Sequence, residues 1–228
     1  MADITDTILA ETLTEMFATE NLLQHTFNKV DVIYAFNESM LVPYQFNGVA
    51  VNEEMLALVF GNGNDKIIKS DFIARHNVYN IYQVPGLINS LINKKFQQAN
   101  FTHQYTAFPN IYKMEGNHLC TIFGANNMAV MLLKDGKLQM VQNFKYKQPE
   151  DAVYYLLSIC NGFDVDTNNV IVHLNGMIDK NSALYKEIYD YFLTIEFATM
   201  PDTFSYTEAI TEYPAHFFSH LFAIASCV

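Results

Sequence analysis

The stretch LCTIFGANNMAVMLLKDGKLQMVQNFKYKQPEDAVYYLLSICNG, residues 119–162, decides the fold class. Three apolar runs, Leu119 to Ala125, Met128 to Lys134 and Leu138 to Tyr146, are separated by Asn126-Asn127 and Asp135-Gly136, the residue pairs of tight turns. They predict a three-stranded meander. Pro149 with Glu150 and Asp151 then opens a helix, because proline suits the first helical position and acids suit the positive end of the helix dipole. Val153, Leu156, Leu157 and Cys160 recur at helical spacing up to Gly162 and predict one buried stripe.

Downstream, Val170 to Leu174 reads as a strand and Ser182 to Leu193 as a helix with Leu184, Ile188 and Tyr191 on one face; Thr194 to Ala198 reads as a last strand. The order βββαβαβ is that of a ribonuclease H-like lobe, with right-handed crossovers expected for the parallel part. Upstream the pattern is less regular. A helix is expected from Ile4 to Phe17 with Ile8, Leu13, Met16 and Phe17 as its apolar residues, followed by strands at Val30 to Phe36 and Met40 to Tyr44 and a short helix over Glu53 to Phe60. A hairpin of Ile67 to Ala74 and Val78 to Val84 turns at His76-Asn77, Pro85 begins a helix carrying Leu87, Ile88, Leu91 and Ile92, and Phe101 to Tyr105 is extended. This describes a second, related lobe with an insert and without a leading meander. The expected division is residues 1–107 for that incomplete first lobe and 108–228 for the second lobe with a C-terminal helix.

Asn143-Phe144-Lys145-Tyr146 with Glu150 to Leu157, Leu174-Asn175-Gly176 and Pro214-Ala215-His216-Phe217-Phe218 resemble the distinctive segments of a bacterial family, largely from Bacteroidetes, to which no activity is assigned. His25-Thr26-Phe27 and Leu41-Val42-Pro43 extend the resemblance through most of the chain. It implies an α/β protein of the actin-like ATPase (ribonuclease H-like) fold with duplicated lobes, related to pilus-assembly and secretion-platform proteins. Members of the family usually begin with a three-strand meander, which this chain lacks.

Actin-like ATPases hold nucleotide with a carboxylate-bearing glycine hairpin in each lobe and a glycine turn at the adenosine, so backbone N–H groups reach phosphate and aspartates organise Mg²⁺. The corresponding positions here are Gly124, Asn126 and Asn127 in the hairpin, and Asn175 and Gly176 in the turn. They form a degenerate nucleotide site with one hairpin glycine and no carboxylate. ATP hydrolysis and two-metal nuclease chemistry, which needs converging carboxylates, are therefore not expected.

Other motifs fall short in the same way. Asp164-Val165-Asp166-Thr167-Asn168 imitates a calcium loop, but Asn169 stands where glycine is needed and Asn175 where a bidentate glutamate is needed. His216 and His220 have metal-ligand spacing without the glutamate of a zinc-protease helix. Gly61-Asn62-Gly63-Asn64-Asp65 lacks the third glycine of a dinucleotide fingerprint. No metal and no cofactor is expected.

The composition limits the partners. Net charge is −11, from thirteen Lys and Arg against twenty-four Asp and Glu, and Arg75 is the single arginine, so little is available to neutralise nucleic-acid phosphates. The acidic N-terminus and the lack of a long apolar run predict neither a signal peptide nor a membrane insertion, and point to the cytoplasm. Cys120, Cys160 and Cys227 suit reduced thiols rather than a disulfide framework. Eighteen Phe and fourteen Tyr fill a core that has no Trp, with contact surface as their second use. The functional expectation is a non-catalytic scaffold or protein-interaction module of the actin-like fold, with a homodimer as the simplest outcome of the incomplete lobe and a nucleotide-responsive switch as the alternative.

Overall fold

The computed structural model describes residues 6–61, 65–111 and 115–226. The expectations for Ile4, for Asn62 to Asn64 of the glycine loop and for Cys227 lie outside these residues. The chain divides into two compact units, Met1–Thr106 and Ala107–Val228.

In the first unit, helix α1 (Asp6–Thr19) leads to strand β1 (Asp31–Tyr34), then β2 (Ser39–Pro43), α2 (Val49–Phe60), β3 (Lys66–Ile73), β4 (Val78–Pro85), α3 (Gly86–Lys95) and β5 (Asn100–His103). Two sheets result. β1 and β5 pair in parallel from Asp31↔Asn100 to Tyr34↔His103, while β2, β4 and β3 form an antiparallel sheet with β4 in the middle. Everything between β1 and α3 is thus an insert in an otherwise simple strand–helix–strand crossover. The β3–β4 turn closes because Asn77 adopts φ +53°, a left-handed conformation that asparagine tolerates better than most residues.

Helices α1 and α3 pack together, and Ala10, Tyr34, Tyr82, Val84, Ile88 and Ile92 form the core. Tyr34 stacks on Phe101 at 5.8 Å between ring centres, and the Lys69 ammonium lies 4.9 Å from the centre of the Phe101 ring. Of the four apolar residues expected along α1, Leu13 and Phe17 pack on this core and Ile8 and Met16 do not. Leu9, Leu13 and Phe17, four residues apart, turn inward around Ala10, whereas Ile8 and Met16 are exposed.

α4 (Gln104–Ile111) leads into the second unit: β6 (Asn117–Phe123), β7 (Asn127–Lys134), β8 (Lys137–Lys145), α5 (Pro149–Gly162), β9 (Val170–Gly176), α6 (Ala183–Tyr189), β10 (Thr194–Phe197), α7 (Glu208–Thr211) and α8 (Ser219–Ala225). The sheet order is β10-β9-β6-β7-β8, with the meander antiparallel and β6, β9 and β10 parallel. That is the predicted βββαβαβ order. One sheet face packs Leu119, Phe123, Val130, Leu132, Val172 and Leu174 against Val153, Leu156 and Cys160 of α5 and Ile188 of α6.

The start of α5 is set locally. Asp151 accepts the backbone N–H groups of Lys147 and Gln148 at 3.0 and 3.1 Å, which completes a capping box and holds its carboxyl below the usual range. Its stripe is corrected at one position: Leu157 is only half-buried, and Ala152 and Ile159 take the remaining core places. α6 is shorter than predicted. Ser182 caps its start by accepting the N–H of Tyr185, but the helix stops at Tyr189, so Phe192 enters the core and Tyr191 is exposed. No helix among the described residues is long and apolar enough to cross a membrane.

Candidate functional site

Ligands of open α/β sheets bind beyond the carboxyl ends of the strands. Parallel pairing of β6 and β9 puts Phe123 opposite Gly176 there, so the two glycine-bearing segments, Gly124 to Asn127 and Asn175-Gly176, lie side by side. Two backbone donors at these segments, however, are already used. The Gly124 N–H donates to the Asn127 carbonyl at 2.8 Å, and the Met177 N–H donates to the Phe123 carbonyl at 2.7 Å. Asn126 is exposed, and its carbonyl accepts from Tyr146 N–H at 3.0 Å while the Tyr146 hydroxyl donates to the Gly124 carbonyl at 2.9 Å.

Asn175 is buried, not presented to solvent. Its amide donates to the Thr121 carbonyl at 2.9 Å, and its Oδ1 accepts from the Ser219 hydroxyl at 2.9 Å. Gly176 has φ +80°, and a Cβ on it would stand 2.3 Å from the Phe123 carbonyl oxygen. The glycine there is required by the close approach of two strands. A Cβ on Gly124 would meet Asn127 Oδ1 at the same 2.3 Å.

Beside Asn175 opens a cleft of about 470 Å³, lined among others by His173, Glu196, Asp202 and Ser219. His173 belongs to a chain of polar groups that the linear sequence does not reveal, because its members are 55 residues apart until β6 and β9 pair. His118 Nδ1 lies 3.0 Å from His173 Nε2, His118 Nε2 lies 2.8 Å from the Glu115 carbonyl, and His173 Nδ1 lies 3.4 Å from Glu196 Oε2. Burial, and then the neighbouring His118, push the His173 pKa down to about 4. At neutral pH the His173 ring is therefore uncharged, and His118 Nε2–H donates to the Glu115 carbonyl, which can only accept. The Glu196 contact is then no ion pair.

A second polar cluster lies in the first unit. Asp71 accepts from the Tyr82 hydroxyl at 3.1 Å, the Thr102 hydroxyl at 3.1 Å, the His103 N–H at 2.8 Å and the Thr106 hydroxyl at 2.9 Å. Buried His103 has both ring nitrogens engaged, Nε2 with the Phe36 carbonyl at 2.9 Å and Nδ1 as acceptor for Tyr105 N–H at 3.1 Å. Burial pushes its pKa down to about 4, against the opposing pull of the Phe36 carbonyl and Asp71. The cluster ties β3 and β4 of the insert to β5.

The other sequence candidates have structural duties. Asp166 ties its own turn together through the Asn168 N–H and the Asn168 and Asn169 amides. His216 Nε2 contacts the Ile178 carbonyl at 2.6 Å, and no group of three or more His, Cys, Asp or Glu with metal-binding geometry occurs among the described residues. Burial pushes the Cys120 thiol well up and, with Asp166 nearby, the Cys160 thiol to about 11, so neither is a nucleophile at neutral pH.

A solved structure from Bacteroides thetaiotaomicron, a protein with an actin-like ATPase fold and unknown function, is similar to this chain with a TM-score of 0.81 and 17% identity, over 96% of this chain and 82% of the other. A PilM–PilN type IV pilus biogenesis complex is similar with a TM-score of 0.58 and 12% identity, over 96% of this chain and 84% of the other. At these identities the likeness establishes the actin-like fold alone. No curated protein shows a significant match. A family model described as a protein of unknown function (DUF3822) matches residues 2–195, and the chain belongs to that family.

Proposed function

We propose that the protein is a non-catalytic, actin-like-fold interaction module rather than a nucleotide-hydrolysing machine. One observation carries this reading: at the ends of β6 and β9, where phosphate would approach, the Gly124 and Met177 N–H groups and the Asn175 amide are all donated inside the protein. A polyphosphate needs such donors free, and Mg²⁺ needs carboxylates that the hairpin does not have. The net charge of −11 adds repulsion.

A nucleotide-responsive switch is the second reading, favoured by the cleft beside Asn175. The cleft is lined by Glu196 and Asp202 with no Lys or Arg, which suits a polyphosphate poorly. Thermal unfolding in millimolar Mg-ATP separates the two. A ligand at 100 times its dissociation constant adds roughly 2.7 kcal/mol, about 5 to 10 degrees for a chain of this size. The expected result is no such rise. A rise that Gly124→Asp abolishes would put the switch first.

A further inference from the structure

Helix α2 is apolar on more sides than it buries. Asn52 and Leu56 face the small core of the insert with Val42 and Ile81, yet Val49 is 81% exposed, Leu58 87%, Val59 57% and Val51 43%. A surface helix ordinarily turns polar residues to solvent, and helices that are apolar all round are normally covered. The two acids on the exposed side, Glu53 and Glu54, sit in the middle of the apolar residues. Val51, Glu54 and Leu58 form one stripe at spacings of three and four, and Val49, Glu53 and Phe60 form another.

The charge of this helix and of the chain leading into it has one sign. From Val30 to Asp65 the chain has five acids, Asp31, Glu38, Glu53, Glu54 and Asp65, and no Lys or Arg. Asp31 pairs with Lys29 and Glu38 with Lys66, whereas Glu53 and Glu54 have no ion-pair partner among the described residues. Phe46 and Tyr44, both more than half exposed, extend the apolar surface just before the helix.

From this surface we infer that α2 docks an amphipathic helical segment of another protein, apolar on one face and with Lys or Arg positioned against Glu53 and Glu54. This rests on the interaction-module reading and specifies its partner. A second copy is the poorer occupant, since two-fold pairing of α2 with itself brings glutamates toward glutamates with no cation in either α2. An anionic bilayer is poorer still, because amphipathic helices that lie on membranes are flanked by base. A basic apolar helix satisfies both the buried area and the charge.

The test uses a fluorescent synthetic helix of leucine and lysine and its leucine–glutamate counterpart, with binding to the full chain read by anisotropy. The leucine–lysine helix is expected to bind, and the leucine–glutamate helix is not. Val51→Ser with Leu58→Ser, and separately Glu53→Lys with Glu54→Lys, should each weaken binding by about tenfold or more while leaving the melting temperature in place, as these side chains are exposed. Affinity indifferent to both pairs of substitutions, or equal for the two peptides, overturns the inference. So does a dimer in light scattering, or co-sedimentation with anionic vesicles, that Val51→Ser with Leu58→Ser abolishes. Failure here removes this docking surface alone, whereas a Mg-ATP-dependent rise in melting temperature removes the interaction-module reading itself.

Discussion

The five-stranded sheet of the second unit and the paired sheets of the first are held together by different means. In the second unit the strands of the meander are consecutive, α5 and α6 return directly to the sheet, and one face is filled by Leu, Val, Ile and Phe. In the first unit the two strands of the parallel pair are separated by the whole insert, and the insert is tied back to β5 through Asp71 and the aromatic cluster of Tyr34, Tyr82 and His103. Apolar burial tolerates small errors of direction; a carboxylate that serves four donors does not. The first unit should therefore fail through a few polar groups, and the second through its packing.

The largest expected effect is in the second unit. Leu156→Ala removes a side chain with no exposed area and should cost about 2–5 kcal/mol, whereas Leu157→Ala, at a half-buried position one residue later, should cost clearly less. Denaturant unfolding of the two variants checks this, and equal losses would break the assignment of the α5 face.

Next is Asp71→Ala, which deprives the Tyr82, Thr102 and Thr106 hydroxyls and the His103 N–H of their acceptor and should cost roughly 1–3 kcal/mol. Amide exchange sharpens the contrast between the units: protection should fall at Thr102 and His103 and stay unchanged at Thr121 and Leu174. Equal loss in both would mean that the units do not respond separately.

The most graded effect is on pH. His103 in the first unit and His173 and His220 in the second all have pKa values pushed down by burial to about 4. An unfolded chain, with ordinary histidine values near ~6.5, binds more protons than the folded one between those limits. Their contribution to stability is therefore complete above pH ~6.5 and is lost as pH falls toward 4, by at most about 1.4 kcal/mol per pH unit for each histidine. Melting temperatures measured across that range should fall, and His173→Asn should flatten the slope. A flat profile in the unsubstituted protein would mean that these rings are protonated in the fold.

Much of the second unit was legible in sequence because its signals are local. Asn-Asn and Asp-Gly turns, the Pro-Glu-Asp helix start and helical spacing in α5 each act over a few residues, and their order implies the topology. The misreadings occurred where neighbours decide. Periodicity alone cannot choose between Ile8 and Leu9 in α1, or carry Tyr191 into a core when α6 has already stopped at Tyr189.

The candidate site divides along the same line. The sequence by itself determined that the glycine hairpin lacks a carboxylate, that the chain is strongly acidic, and that α2 combines apolar residues with two glutamates, since these are facts of composition and order. Only the tertiary structure decided that the Gly124 and Met177 N–H groups and the Asn175 amide are already bonded, that His118 meets His173, and that the apolar side of α2 is left open. Whether a donor is free and whether a face is covered depend on which distant segment packs against it, and no local spacing in the chain encodes that.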